Sequence, residues 1–560
     1  MTVDELFLLA QAVIDRLVRR LRLGAAPVSD RRRLLIVQID GLSRAVLDHA
    51  LTRGHMPVLR RLVQSGEFRL QAMTVGMPTS TPAFHMAAMY GVQPDIPGFH
   101  YYDKRRRTDI HFPRAGHAAF VESSQAAGRP GILGGGSVYG CAFTGEAEND
   151  FFSFARLTRP RAPGLLRVLT AFVLVGWVAA KCAALTAVEL ARTVGRLVRR
   201  PRQRRATWLW FKKRVALSVW TRQWFTFAVA RDVYDGVPAI YVNYLDYDEG
   251  AHAFGPRSGQ AIAGLRAVDR SLRQIRRAIR RVPGYRYDLY VLADHGQAAS
   301  TPYSELTGGR RFERAFFEDI LEMPAVAANA EPVNDAAPLD STPAPRSTAL
   351  ELGFEPYLDV REACERGGVR VVSAGPNAFV YFLETPEPVL LETIEARCPG
   401  LPALVSKSAG VGYVLVRAKD GPVCFWRGQA HRLADPDCGP FAGREDREVL
   451  VRDLTTLMAM PSAGDLVVYG TDAPEGHVSY IDEKGAHAGP SAEELHTFVV
   501  APSRAPLPAA LNHPLQLYEV FIRYQCDGES TTAECERPRN DSVSSGRHDA
   551  CSAVNRECLP

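Results

Sequence analysis

Ten cysteines stand in this 560-residue chain without one Cys-x-x-Cys pair, which removes the usual zinc-ribbon and thioredoxin-like spacings. Cys141, Cys182, Cys364, Cys398, Cys424 and Cys438 are scattered, while Cys526, Cys535, Cys551 and Cys558 fall in a polar tail. The tail spacings are too wide for a zinc knuckle, and disulfide frameworks belong mainly to small secreted chains, so all ten read as reduced thiols. No internal repeat is present. The N-terminus lacks the order of a secretory signal: Asp4 and Glu5 precede the apolar residues, and Arg16, Arg19, Arg20 and Arg22 follow them. Leu6, Leu9, Val13, Leu17 and Leu21 recur at helical spacing, so residues 1–30 are expected to form an amphipathic helix. Acidic residues are missing from 190–231, which carries twelve Lys or Arg; the whole chain is +5, so the remainder is −7. The basic character is therefore local. It points to an anionic partner for one segment and not to a nucleic-acid-binding protein. The composition, 46% apolar and 23% charged, is that of a soluble globular protein.

What is present is a series of strand-like apolar runs that end in ionisable residues. Residues 34–39 run into Asp40-Gly41, 239–245 into Asp246 and Asp248, and 289–293 into Asp294-His295-Gly296. A later pair of runs, 465–469 and 497–500, brackets His487. Strands separated by helical stretches, such as 266–281, imply βαβ units and a mainly parallel sheet. Ligands of such sheets bind beyond the carboxyl ends of the strands. Residues 325–350 are rich in Ala, Pro, Asn and Asp and read as a flexible insertion. Residues 351–445 alternate helix and strand patterns and read as a small cap, and 526–560 as a disordered tail. The catalytic part is expected in three pieces, 31–160, 236–324 and 446–525.

Residues 161–235 differ from their surroundings. The stretch 168–180 is uncharged and almost wholly apolar; Lys181 interrupts it, and the apolar pattern resumes to Val188. Trp177, Trp208, Trp210, Trp220 and Trp224, five of the six tryptophans, lie here. Tryptophan with Lys and Arg is the composition of a membrane interface, and so many unopposed cations do not suit a buried insertion.

Phosphate chemistry on divalent ions needs carboxylate and imidazole ligands that converge from separate strands. Two ions about 4 Å apart can clamp the attacking and leaving oxygens of an in-line displacement. Asp248 and His252 stand four residues apart after a strand, Asp294 and His295 are adjacent at a strand end, and Asp40 ends the first strand. His487 is flanked by small residues in Gly-Ala-His-Ala-Gly. A lone Asp-Gly is more often a turn and a lone loop histidine more often merely exposed; the signal is the set. A hydroxyl for nucleophilic attack is offered by Thr79, Ser80 or Thr81, just before a helical stretch at 86–90. A hydroxyl there can be a simple helix cap, but the same place directs backbone N–H groups toward an anion. The glycine-rich 134–140 lacks the Lys-Ser/Thr of a P-loop and reads as close backbone packing.

The order of these motifs resembles the type I phosphodiesterase/nucleotide pyrophosphatase family of the alkaline phosphatase superfamily. It is Asp-Gly, Pro-Thr-x-Thr with a histidine four residues on, DEGAHAFGP at 248–256, Asp-His-Gly, then a late Gly-x-His. The resemblance implies a three-layer αβα fold with a mainly parallel central sheet, a small α+β cap, and 161–235 as a helical insertion. It implies one metal held by Asp248, His252 and His487 and a second by Asp40, Asp294, His295 and the nucleophile. It implies zinc, although the ligand set alone also accepts manganese. It favours Thr81 as nucleophile, because His85 stands four residues on, and a phospho-threonine intermediate. Two departures bear on the substrate. Pro82-Ala83-Phe84 replaces the family's Phe-Pro-Asn, and 97–103 has no asparagine for a phosphate oxygen, leaving His100 as a stand-in. A sulfatase would need Cys-x-Pro-x-Arg, which is absent.

The site constrains topology. Asp40 and Thr81 precede 165–231, and Asp248 to His487 follow it, so the segment cannot cross a membrane once. Cations in its second half are costly in a spanning helix. A hairpin lying on an anionic leaflet, on the cytoplasmic face, is the expectation, with a lipid-linked phosphate ester as the substrate class it suggests. A phosphoryl head-group transferase, a phosphomutase of the same superfamily and an inactive membrane-associated scaffold are the alternatives.

Overall fold

The computed structural model describes residues 31–112, 114–150, 165–199, 208, 210–212, 214–323, 364–435 and 439–525. The helix expected at 1–30, the insertion at 325–350 and the tail at 526–560 lie outside the described residues. The main sheet contains β1 (Arg32–Ile39), β2 (Phe68–Thr74), β3 (Ser137–Tyr139), β4 (Asn149–Asp150), β5 (Ala239–Tyr244), β6 (Arg286–Leu292) and a C-terminal strand, His496–Pro502. Their spatial order is β2, the C-terminal strand, β6, β1, β5, β3, β4. β1 runs parallel to both β5 and β6, and β3 parallel to β4 and β5. The C-terminal strand alone runs antiparallel to its neighbours, β2 and β6.

The central strands are apolar on both faces because both faces are covered. Leu34 and Ile36 of β1 face one core, together with Met86, Met89 and Tyr290. Leu35, Val37 and Ile39 face the other, with Val229, Leu265 and Leu272. The second core is closed by a long amphipathic helix between β5 and β6. Its Ser258 caps the N-terminus by accepting from the Ala261 N–H, and Arg280 and Arg281 occupy its last turn, where the helix dipole favours cations.

A second seven-stranded sheet is wholly antiparallel and forms its own core around Val371, Val380, Val414 and Val468. Four of its pairings lie among strands between 364 and 432. Its middle strand, Leu466–Tyr469, sits between Asn377–Phe382 and Tyr413–Val416. The two late strands that bracket His487 in the sequence therefore belong to different sheets. The chain crosses from one to the other through the loop that carries His487.

For the functional discussion, α1 is Thr81–Tyr90, α2 Leu165–Arg199, α3 Arg222–Asp235, α4 Asp246–Phe254 and α5 Gly259–Arg281. α2 buries Val178, Cys182, Glu189 and Thr193, and it exposes Val175, Val188, Leu190, Val194 and Val198. Its packing corrects part of the expectation for this segment. Among the described residues, four of these cations are opposed: Arg192 and Arg214 by Glu189, Arg222 by Asp246 and Arg231 by Asp235. Trp210 is buried edge-on against Phe254, and the Trp220 indole N–H donates to the Thr186 hydroxyl. Those tryptophans serve packing within the protein. Among the described residues no helix is long and apolar enough to cross a membrane. Cys141, Cys182 and Cys398 are free thiols.

Candidate metal centre

Three strand ends build the floor of the site. Gln38 of β1 is level with Leu292 of β6, so Asp40 and Asp294, each two residues further on, emerge side by side. The Asp40 N–H donates to the Tyr244 carbonyl, which ties the end of β1 to the end of β5. Directly after β5 comes α4, and its 3.6-residue period places Asp248 and His252 on one face. His252 Nε2 lies 3.3 Å from Asp248 Oδ2. The chain that follows β6 pairs Ala298–Ala299 with Gly485–Ala486, and this short ladder carries His487 to the same place. The backbone of the late loop is held by Thr79. Its hydroxyl donates to the Gly489 carbonyl and accepts from the Ala488 N–H. Ala488 has φ of +88°, a left-handed conformation costly for a residue with a Cβ, and the two bonds to Thr79 hold it there.

The nucleophile candidate stands at the start of α1. Thr81 is half-buried, and its Oγ1 lies 3.2 Å from His295 Nε2. Two groups of ligand atoms come within 4.8 Å of one another: Asp248, His252 and His487 in one, and Asp40, Asp248 and His295 in the other. Asp294 adjoins the second, with its Oδ2 3.4 Å from His295 Nε2. Asp40 Oδ1 is also 3.4 Å from that nitrogen. Asp248 is thus common to both groups, an arrangement that motif order alone does not suggest.

Each imidazole is oriented from behind. His295 Nδ1 faces the Gly296 carbonyl at 3.0 Å, and His487 Nδ1 the Thr79 carbonyl at 3.0 Å. His252 Nδ1 faces Glu483 Oε2 at 2.7 Å. A carbonyl or carboxylate only accepts, so each Nδ1 carries the proton and each Nε2 presents its lone pair to the cluster. The carboxylates are held as well: Asn243 Nδ2 donates to Asp40 Oδ2 at 2.5 Å, and Gln297 Nε2 donates to Asp248 Oδ1.

The electrostatics are those of a site built around positive charge. Burial, then the charges of Asp294 and Asp248, push the Asp40 carboxyl well above its ordinary range. Burial pushes Asp294 up to about 7, with the nearby Thr81 hydroxyl opposing that shift. Burial raises Asp248 too, but His252, His487 and His295 outweigh it and hold that carboxyl low. Burial lowers His295 to about 4 and His487 to about 3, so both rings are neutral at neutral pH. Asp294 Oδ2 is buried with no hydrogen-bond partner among the described residues. Buried carboxylates that repel one another, an orphaned carboxylate oxygen and inward-facing neutral imidazoles fit divalent cations.

The structure brings together Asp40, Thr81, Asp248, His252, Asp294, His295 and His487. His100 lies in the hairpin His100–Asp103/Thr108–His111, 3.6 Å from Asp109 and edge-on to His111. His85 is buried in the core beside the cluster, where its Nε2 meets Gln38 Oε1 and its Nδ1 accepts from the Ala142 N–H. Three supporting residues, Asn243, Gln297 and Glu483, were missed by sequence reasoning, and Thr79, offered there as a hydroxyl for attack, holds the backbone of the His487 loop. Asn243 had a signal, since it is a polar residue in an otherwise apolar buried strand. The glycines at 134–140 do pack closely, because a Cβ at Gly136 would lie 2.2 Å from the Ala239 carbonyl oxygen.

Residues 34–331 match the model of the type I phosphodiesterase/nucleotide pyrophosphatase family. This chain is a member of that family. The matched stretch contains six of the seven clustered residues, and His487 lies beyond it. Membership in the type I phosphodiesterase/nucleotide pyrophosphatase family makes the chain a phosphoesterase and implies a phosphate-ester substrate. No curated protein sequence matches it significantly. Among solved structures, phosphonoacetate hydrolase from Sinorhizobium meliloti 1021 is similar in two complexes, with phosphonoformate and with phosphonoacetate. Each is 14% identical and covers 87% of this chain and 95% of its own, with TM-scores of 0.44 and 0.45.

Proposed function

We propose that this chain is a two-metal phosphodiesterase in which Thr81 is the nucleophile. One observation carries the reading: three buried carboxylates and three imidazole Nε2 atoms converge, and the Thr81 hydroxyl stands 3.2 Å from one of those nitrogens, His295 Nε2. Asp248, His252 and His487 would hold one ion, and Asp40, Asp294 and His295 the other, with Asp248 between them. When bound, such ions, zinc or manganese, would supply the positive charge that a phosphoryl group and its attacking and leaving oxygens require.

Thr81 Oγ forms the new bond to phosphorus as the ester oxygen leaves on the opposite side. Water then cleaves the phospho-threonine and regenerates the hydroxyl. Asp294 and His295 flank that hydroxyl and set the environment of its proton. The first turn of α1 presents backbone N–H groups at the same end as Thr81, which suits phosphoryl oxygens.

The test is hydrolysis of bis-p-nitrophenyl phosphate against p-nitrophenyl phosphate, with zinc, manganese or chelator, by wild type and Thr81→Ala. Metal-dependent cleavage of the diester that disappears in the variant, with metal content unchanged, is the expected result. Wild-type activity in Thr81→Ala would remove Thr81 from the mechanism. Phosphoryl transfer to added alcohols in place of water would identify a transferase.

The exposed apolar residues of α2, Val188, Leu190, Val194 and Val198, adjoin a basic stretch of chain. This supports placing residues 165–231 against an anionic membrane surface, on the cytoplasmic face, and a lipid-linked phosphate ester as substrate. Flotation with anionic but not with neutral vesicles is expected; failure to float with either would exclude it.

A further inference from the structure

The three imidazoles of the cluster are not held alike. His295 and His487 give their Nδ1 protons to backbone carbonyls, whereas His252 gives its proton to a buried carboxylate, Glu483. A charged acceptor makes a stronger bond than a neutral one, more so where water is excluded. It draws the Nδ1 proton toward itself and makes the opposite nitrogen, Nε2, more basic toward a cation.

Glu483 is built in for this purpose from several sides. Its other oxygen, Oε1, accepts from the Ser479 hydroxyl at 2.8 Å. The next residue, Lys484, donates its backbone N–H to the His252 carbonyl at 2.7 Å, so the same chain segment grips His252 at ring and backbone. Gly375 leaves room for the arrangement: a Cβ there would lie 3.6 Å from Glu483 Oε1 and 3.0 Å from the His487 carbonyl oxygen. Ser479 is itself fixed in a two-residue ladder with Pro302. Glu483 approaches no other ligand side chain with a hydrogen bond among the described residues.

We infer that Glu483 is a positioning residue that sets the cation affinity of the Asp248/His252/His487 group and leaves that of the Asp40/Asp294/His295 group alone. The inference rests on the two-metal reading above. Its consequence is that the two ions are bound with unequal and separately adjustable strength, although the groups share Asp248.

The experiment is calorimetric titration of the chelator-stripped full chain with zinc, for wild type, Glu483→Gln and Ser479→Ala, with metal content measured after dialysis. Glu483→Gln keeps the shape and removes the charge. It is expected to retain two binding events, one weakened about 10–100-fold and the other unchanged. Ser479→Ala leaves the charge and frees one oxygen, so a loss of only a few-fold at the same event is expected, and it serves in place of Glu483→Gln should that variant not fold. Two events in wild type and the same two affinities in the variants would overturn the inference while leaving the two-metal reading intact. Equal weakening of both events would also overturn it, as damage to the whole loop. Absence of zinc binding by wild type would remove the two-metal reading and the inference with it.

Discussion

The imidazole of His295 lies flat against that of His487, with ring centroids 3.8 Å apart and 14° between the planes. The rings come from chain positions 192 residues apart and belong to different ligand groups. Such a stack tolerates little charge. Burial is the main reason that both rings stay neutral, and each ring adjoins the carboxylate of Asp248 in at least one group. Cations bound on the Nε2 side would relieve the repulsion among the carboxylates without protonating either ring.

Metal binding should therefore stabilise the fold. A ligand present at a hundred times its dissociation constant adds about 2.7 kcal/mol by mass action. Thermal unfolding with added zinc or manganese is expected to occur at higher temperature than with chelator. An unchanged midpoint would mean that the cluster does not hold ions.

Gly296, next to His295, has no space for a side chain. A Cβ would meet the Glu493 carbonyl oxygen at 1.9 Å and Ser43 Cβ at 2.6 Å. Gly296→Ala is expected to cost about 1–3 kcal/mol, as overpacking does, and to shift His295 from its place. Denaturant unfolding gives the first quantity, and zinc stoichiometry tests the second; a variant equal to wild type in both would contradict the packing.

The insertion is anchored to the catalytic region by Arg222 of α3, whose Nε lies 2.9 Å from Asp246 Oδ1 at the start of α4. Burial pushes the Asp246 carboxyl up to about 6, against the pull of Arg222. Removing the arginine strands that carboxylate, so Arg222→Leu is expected to cost about 3–5 kcal/mol. The double variant Arg222→Leu/Asp246→Leu should recover most of the loss, because no unpaired charge is left. A double variant as unstable as the single one would show that the loss comes from packing and not from the charge.

Asp232 of α3 is buried and accepts a hydrogen bond from the Tyr139 hydroxyl at 2.6 Å. Burial raises its carboxyl from 3.8 to about 6. The folded state thus holds this proton more tightly than the unfolded state does. Its stabilising effect is complete below pH of about 4 and is lost as pH rises through about 6, by an amount on the order of 2–4 kcal/mol. Asp232→Asn cannot ionise and should lack that slope. Unfolding free energies of both proteins at pH 4 and 7 check this: the variant should gain relative to wild type at the higher pH, and a constant difference would exclude the assignment.

Much of the site could be read along the chain. Apolar runs ending at Asp40, Asp248 and Asp294-His295 mark strand ends in a parallel sheet, because only buried strands are apolar on both faces and only their carboxyl ends open to a ligand. The helical period alone pairs Asp248 with His252. Those features depend on covalent neighbours, so a linear sequence contains them. Tertiary structure decided the rest. It made Asp248 common to both ligand groups, set Glu483 behind His252 across 231 residues and Thr79 behind His487 across 408. It put Leu466–Tyr469 into the antiparallel sheet and left His100 in a hairpin with Asp109. It also gave Glu189 and Asp246 to cations that look unopposed in the basic stretch. The physical reason is common to all of these. A hydrogen bond or ion pair depends on where two side chains point after the backbone has packed, and separation along the chain carries almost no information about that direction.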